Sequence, residues 1–114
     1  MDGINDRQRI LFDAMNPNMA LSDFQVYFNE ILQLRGFDGD GIEEKLLLLI
    51  EEVGELAKAV RKEQSGLSID YSRIKNYDSV KSELADVLIV LFSISNLVKV
   101  DLYEAINEKE GINI

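Results

Sequence analysis

The stretches LLLLIEEVGELAKAV, residues 46–60, and KSELADVLIV, residues 81–90, decide the fold of this chain. Both repeat apolar residues at the three- and four-residue spacing of a helix face. Each also carries two carboxylates three residues apart. These acids are Glu52 with Glu55, and Glu83 with Asp86. An acid beside a packing face is costly to desolvate. The pairs are therefore either solvated helix surface or ligands that converge on a cation.

The first stretch belongs to a predicted helix over residues 42–63, whose apolar face is centred on Val53. At about 100° per residue, this face is the predicted core stripe of the helix. Its other members are Leu46, Leu49, Ile50, Leu56, Ala57 and Val60. Glu52 and Glu55 lie outside the core stripe and outside the solvated face that holds Glu51. They share a strip with apolar neighbours, which ordinary surface acids do not.

The second stretch belongs to a predicted helix over residues 79–99, which is apolar nearly all round from Val87 to Leu97. Glu83 falls inside its apolar sector, where burial would favour the neutral form of a free carboxyl group. Other helices of one short chain cannot cover such a circumference. We therefore expect a homo-oligomer, either a homodimer or a homotetramer, with a largely apolar interface of more than about 1,000 Å².

The remaining helical segments are shorter. Residues 6–15 predict a short helix before Pro17, and residues 22–34 predict a helix that begins with a Ser22–Gln25 capping box. A last helix begins with the capping box Asp101–Glu104 and ends at Gly111. Residues 64–78 have no sustained period and indicate a connection.

No segment alternates as a strand does, so the predicted fold class is all-α, a helical bundle of four to five helices. Residues 1–20 form a predicted N-terminal arm or short helix, and residues 21–114 form a single predicted domain. The N-terminal residues lack the apolar run of a secretory signal, and Val87–Val98 is too short to span a bilayer. We therefore expect a cytoplasmic protein without a membrane partner.

The composition of the chain limits the partners, metal ligands and catalytic mechanisms that are available to it. The net charge of −9 argues against a nucleic acid polymer as partner, because such binding needs a basic surface. The chain contains neither Cys nor His, which excludes thiolate and imidazole ligands and nucleophile–histidine catalysis. A metal site would consist of oxygen ligands, which suit Mg²⁺, Mn²⁺ or Ca²⁺. A general base would be a carboxylate or a metal-bound water.

The order of these motifs resembles the MazG-like family of all-α nucleoside triphosphate pyrophosphohydrolases. The resemblance rests on Glu-x-x-Glu in LLLLIEEVGELAKAV, Glu-x-x-Asp in SELADVLIVL and the C-terminal element VDLYEAINEKEGIN. It covers residues 22–113. The residues 21–114 are accordingly expected to be a MazG-like nucleotide pyrophosphohydrolase domain.

The resemblance implies that Glu52, Glu55, Glu83 and Asp86 hold Mg²⁺, with Mn²⁺ as a substitute, and act in catalysis. It also implies a (deoxy)nucleoside triphosphate substrate, cleaved to the monophosphate and pyrophosphate in nucleotide-pool house-cleaning. Three residues match family positions that bind substrate: Phe37 against the base, and Lys109 and Asn113 near the phosphates. Arg35, Arg61, Lys62 and Lys81 are further candidates for phosphate contacts.

Two alternatives stay open at this point. A related branch of the superfamily acts on phosphoribosyl-ATP, but its second motif usually carries a His, which this chain lacks. The other alternative is a non-catalytic helical oligomerisation or regulatory module that keeps the acids as a structural metal site. Pyrophosphate release from nucleotides would separate an enzyme from such a module.

Overall fold

The computed structural model describes residues 3–37, 39–64 and 79–114, which form five α-helices and no strand. The helices are α1 (Gly3–Ala14), α2 (Leu21–Leu34), α3 (Ile42–Gln64), α4 (Val80–Leu97) and α5 (Leu102–Asn113). The predicted all-α class and helix number are confirmed. From residue 65 to residue 78, the predicted connection lies outside the described residues. Among the described helices, none is long and apolar enough to cross a membrane.

The observed helix boundaries differ from the predicted ones by one to three residues, and two of these differences have a clear physical reason. Helix α2 begins one residue early, because the Asp23 carboxylate accepts a hydrogen bond from the Ala20 backbone N–H at 3.3 Å. Asp23, not Gln25, is therefore the acceptor in the first turn. Helix α5 runs past Gly111 to Asn113, and the N–H of Ile114 still donates to the Glu110 carbonyl at 3.1 Å. A glycine terminates a helix only where the backbone turns left-handed, and Gly111 does not.

The chain divides into two compact units, residues 1–41 with 92–114, and residues 42–91. In the first unit, Ile31 and Phe92 are the largest fully buried side chains. The Phe28 ring stacks on Phe92 with centroids 5.1 Å apart, and Tyr27 meets Phe28 edge-on at 4.9 Å. This aromatic row packs α2 against the C-terminal part of α4.

Gln25, which is buried, connects α2 to the turn before α5. Its Nε2 donates to the Val100 carbonyl at 2.6 Å, and its Oε1 accepts from the Leu102 N–H at 3.0 Å. Both backbone groups lie at helix ends, where they lack partners within a helix. At the start of α5, the Asp101 carboxylate accepts from the Glu104 N–H at 2.9 Å, so the predicted N-cap is confirmed.

In the second unit, the start of α4 is tied to the end of α3, because the Val80 N–H donates to Glu63 Oε1 at 3.1 Å. Glu52, which precedes Glu63 on α3, hydrogen-bonds to Glu83, which follows Val80 on α4. The two links occur in the order expected of an antiparallel pair of helices. This arrangement brings the two acid pairs toward each other.

The two faces of α3 differ from the prediction. The more buried face, which we call the inner stripe, consists of Lys45, Leu49, Glu52, Leu56 and Ala59. Most of the predicted core stripe is exposed instead. Its exposed members, which we call the outer stripe, are Leu46, Ile50, Val53, Ala57 and Val60. Periodicity identifies an apolar face, but it does not say whether the same chain covers that face.

Helix α4 shows the same division within residues 80–91. Glu83 is 2% exposed, as its position in the apolar sector predicts. Leu84, Leu88 and Leu91 are exposed, at the four- and three-residue spacing of a helix seam. The second unit therefore buries an acid and exposes leucines.

Candidate metal centre

Three of the four predicted acids meet in the second unit. Glu52, Glu83 and Asp86 each offer a carboxylate oxygen, and these oxygens all lie within 4.8 Å of one another. Glu83 is buried, whereas Glu52 and Asp86 are half-buried. The cluster therefore has one acid at its base and two at its accessible side. Within the described residues, this cluster contains no acid that the sequence had not singled out.

The helical positions explain the convergence. Glu83 and Asp86 are three residues apart, so they are neighbours on one face of α4. Glu52 belongs to the inner stripe of α3. This stripe faces the interior of the unit, where Ala59 is 3% exposed. A residue one position away on either side would point elsewhere. Glu51 is accordingly exposed and lies outside the cluster.

Electrostatics within the cluster favour a proton or a cation. Burial, followed by the negative charge of Asp86, raises the pKa of Glu52, and the charges of Glu55 and Glu51 add to this effect. The hydrogen bond from Glu83 acts in the opposite direction. A divalent cation bound at the cluster would compensate both the burial and the mutual repulsion of these carboxylates.

Glu55 stands apart from the other three. It is exposed, and it is not among the three acids whose oxygens converge. It lies one helical turn after Glu52 and is near enough for its charge to raise the Glu52 pKa. The structure thus brings three of the predicted acids together and leaves the fourth at the edge of the group.

The donor set suits a hard divalent cation. Mg²⁺ binds oxygens at about 2.0–2.1 Å and Ca²⁺ at 2.3–2.6 Å, so two ligands of one ion lie at most about 4–5 Å apart. The separation limit of 4.8 Å between the oxygens meets this requirement. All donors are carboxylates, which prefer Mg²⁺, Mn²⁺ or Ca²⁺ over softer metals.

The predicted substrate-binding residues belong to the other compact unit. Phe37 follows α2 and is 52% exposed, whereas Lys109 and Asn113 are exposed on α5. Of the basic candidates, Arg35 also belongs to that unit, and Arg61, Lys62 and Lys81 lie on the helices that carry the acids. Lys62 is half-buried, and the other three are exposed.

The helices and the acids together define an all-α protein with a carboxylate cluster whose geometry suits a divalent cation. The model of the MazG nucleotide pyrophosphohydrolase domain matches residues 41–109, which include all four acids. The crystal structure of iMazG from Vibrio DAT 722, in its Ntag-iMazG form, is 32% identical to this chain, with a TM-score of 0.60. The similarity covers 83% of this chain and 94% of that one.

No match was found among curated proteins. The family model and the solved structure agree with the resemblance found in the motifs. This chain belongs to the MazG nucleotide pyrophosphohydrolase family.

Proposed function

We propose that this protein hydrolyses a (deoxy)nucleoside triphosphate to the monophosphate and pyrophosphate, with Mg²⁺ held by Glu52, Glu55, Glu83 and Asp86. The main support is the meeting of three carboxylate oxygens within 4.8 Å, one of them from an acid that is 2% exposed. Burial of such an acid costs stability unless a proton or a cation compensates it. Family membership supports the reaction class.

The four acids have different tasks in this proposal. Mg²⁺, when bound, neutralises phosphate charge and lowers the pKa of a coordinated water. Glu83 anchors the ligand set, because burial fixes its side chain. Glu52 and Asp86 complete the set from the accessible side, where a triphosphate can approach. Glu55, which is exposed at the edge of the group, is the fourth ligand in this proposal. Without a cation these carboxylates repel a triphosphate, so activity requires the metal.

Substrate recognition is assigned to residues outside the acid cluster. Phe37 packs against the base, and Lys109 and Asn113 contact the phosphates. The exposure of all three side chains is compatible with these contacts. Lys81, on the same helix as Glu83 and Asp86, is an additional phosphate ligand to test.

We also propose that the protein is a homodimer or homotetramer. The outer stripe of α3 repeats at intervals of four, three, four and three residues, and Leu84, Leu88 and Leu91 continue this pattern on α4. Such spacing is typical of seams that pack helix against helix. A second copy presents the same seams, and a two-fold axis lets each copy cover the other.

The test of the reaction is pyrophosphate release from a panel of dNTPs, with Mg²⁺ and with EDTA. We expect release only with Mg²⁺, and a loss of at least about a hundredfold in Glu83→Gln. Glu44→Gln is the matched control, because Glu44 is an exposed acid on α3 outside the cluster. If no nucleotide yields pyrophosphate, the proposal fails and a non-catalytic metal-stabilised module takes its place.

A further inference from the structure

A groove of about 550 Å³ lies between α1 and α2 in the first compact unit, and the acid cluster has no part in it. Residues of α1 form most of its lining, and Tyr27 of α2 and Arg35, which follows α2, complete it. Both α1 and α2 precede the family match, which begins at residue 41. The volume is within the usual range for sites that bind small molecules.

The charges of this groove contrast with those of the whole chain, which has a net charge of −9. Two guanidinium groups, those of Arg9 and Arg35, line it against the single carboxylate of Asp6. Within the described part of the chain, Arg35 donates to the neutral Gln8 side chain at 3.3 Å and forms no ion pair. Arg9 lies 3.8 Å from Asp13, and both side chains are largely exposed. Such a long, solvated pair holds a guanidinium only weakly.

Arg7, on the same helix, has a guanidinium group in a short ion pair. It is bound to Glu30 at 2.6 Å and does not line the groove. The side chains that line the groove therefore carry a net charge of +1, from two guanidinium groups against one carboxylate. Guanidinium groups recognise phosphate through paired N–H donors, so an anionic phosphate is the ligand that this charge fits.

Aromatic rings in the groove supply a surface on which the base of a nucleotide can stack. Phe12 lines the groove while 56% exposed, and the Arg9 guanidinium lies 5.6 Å from the centre of its ring. Tyr27, which is only 8% exposed, adds a buried ring that packs edge-on against Phe28. Side chains of Asn5, Gln8 and Asp6 add polar donors and acceptors at the same groove. Planar rings, amides and guanidinium groups together match a base, its polar edge and its phosphates.

We propose that the α1–α2 groove binds a nucleoside phosphate, with the base against Phe12 and the phosphates on Arg9 and Arg35. This binding requires no divalent cation, because the groove supplies positive charge itself. In this respect it is the reverse of the acid cluster, which cannot hold a triphosphate without a metal. The groove is thus a second nucleotide site, additional to the proposed catalytic one.

The test is calorimetric titration of the full chain with ATP and with inorganic tripolyphosphate, both in EDTA. We expect ATP to bind without metal, and tripolyphosphate to bind at least about tenfold more weakly because it lacks a base to stack. Arg35→Met should weaken ATP binding by about tenfold through the loss of its charged donors. Phe12→Ala should bring ATP close to tripolyphosphate. Both side chains are exposed, so neither change should unfold the protein.

Lys58→Met is the matched control, because it removes one positive charge from an exposed position of α3. It should leave metal-free ATP binding unchanged. The proposal is overturned if ATP fails to bind in EDTA, if tripolyphosphate binds equally well, or if Arg35→Met and Lys58→Met behave alike. Pyrophosphate release with Mg²⁺ is measured separately on the same proteins. Failure of the groove site therefore leaves the proposed reaction intact, and the converse also holds.

Discussion

The inner and outer stripes of α3 invert the usual relation between polarity and burial. On the inner stripe, Lys45 is 7% exposed and Glu52 is half-buried. On the outer stripe, Ile50 is 68% exposed and Val53 is 47% exposed. A helix that served only the stability of one chain would place these residues the other way round. This inversion is the arrangement that the proposed metal site and the proposed oligomer would each require.

The energies of the two stripes oppose each other. Gathering acids in a partly dry pocket costs several kcal/mol for each uncompensated charge. Full burial of a Val, Leu or Ile side chain stabilises by about 1.5–3 kcal/mol. Covering the outer stripe with a second copy would therefore offset the cost of the acids on the inner stripe. In this account assembly stabilises the fold, and the inner stripe is reserved for chemistry.

The largest effect is expected from a charge on the outer stripe. Ile50→Asp would bury a carboxylate in the proposed interface, so the dissociation constant of the oligomer should rise at least about a thousandfold. Sedimentation velocity at micromolar concentration measures the change. Lys58→Asp introduces the same carboxylate on an exposed position of α3 and should leave the oligomer intact. A wild-type protein that sediments as a monomer would contradict the proposed role of the outer stripe.

A smaller effect on stability is expected at Asp86, and its sign depends on whether Mg²⁺ is present. Asp86→Asn removes one charge from the cluster at nearly constant shape. The metal-free protein should become equally or more stable, by about 1 kcal/mol. At a hundred times its dissociation constant, Mg²⁺ should stabilise the wild type by about 2.7 kcal/mol, and the variant should lose most of this gain.

Thermal melts of both proteins, with Mg²⁺ and with EDTA, measure these differences. A structural acid predicts the opposite pattern, because Asp86→Asn would then break a stabilising contact. A variant that melts lower in EDTA and keeps the full Mg²⁺ shift would exclude Asp86 as a ligand.

The smallest expected effect is a pH dependence that comes from Glu52. Burial and the neighbouring acids raise its pKa in the folded protein above the ordinary value of 4.5. Between the two pKa values the folded state binds more protons than the unfolded state. Its contribution to stability is therefore complete below the unfolded pKa and is lost as the pH rises through the folded pKa. Urea unfolding in EDTA across this window should show the fall. Glu52→Gln, which does not titrate, should flatten it; an equal slope in both proteins would argue against this origin.

The sequence predicts which acids converge better than it predicts which face of α3 is buried. The burial of Glu83 agrees with its predicted position, because α4 is apolar on several sides and leaves this acid little access to water. Most of the predicted core stripe around Val53 is exposed, because helical periodicity gives a face without its partner. The half-buried positions of Leu49 and Leu56 are the parts of that stripe that agree with the prediction.

Local capping could be predicted only where no tertiary contact competes. Asp101 caps α5 as its position before Glu104 suggests. Gln25 instead binds Val100 and Leu102, which are more than seventy residues away in the chain. A capping-box pattern contains no information about such distant backbone groups. The groove between α1 and α2 escaped prediction for the same reason, since its lining combines two separate helices.

The most direct test of the account is a Mn²⁺ titration followed by electron paramagnetic resonance, which distinguishes bound from free ion. The central claim is that Glu52, Glu83 and Asp86 share a divalent cation. Wild-type protein should bind Mn²⁺ in competition with Mg²⁺, and Glu83→Gln should weaken this binding at least about tenfold. Glu44→Gln, with the same change at an exposed acid of α3, should bind as the wild type does. Equal Mn²⁺ affinity in the wild type and Glu83→Gln would contradict the claim.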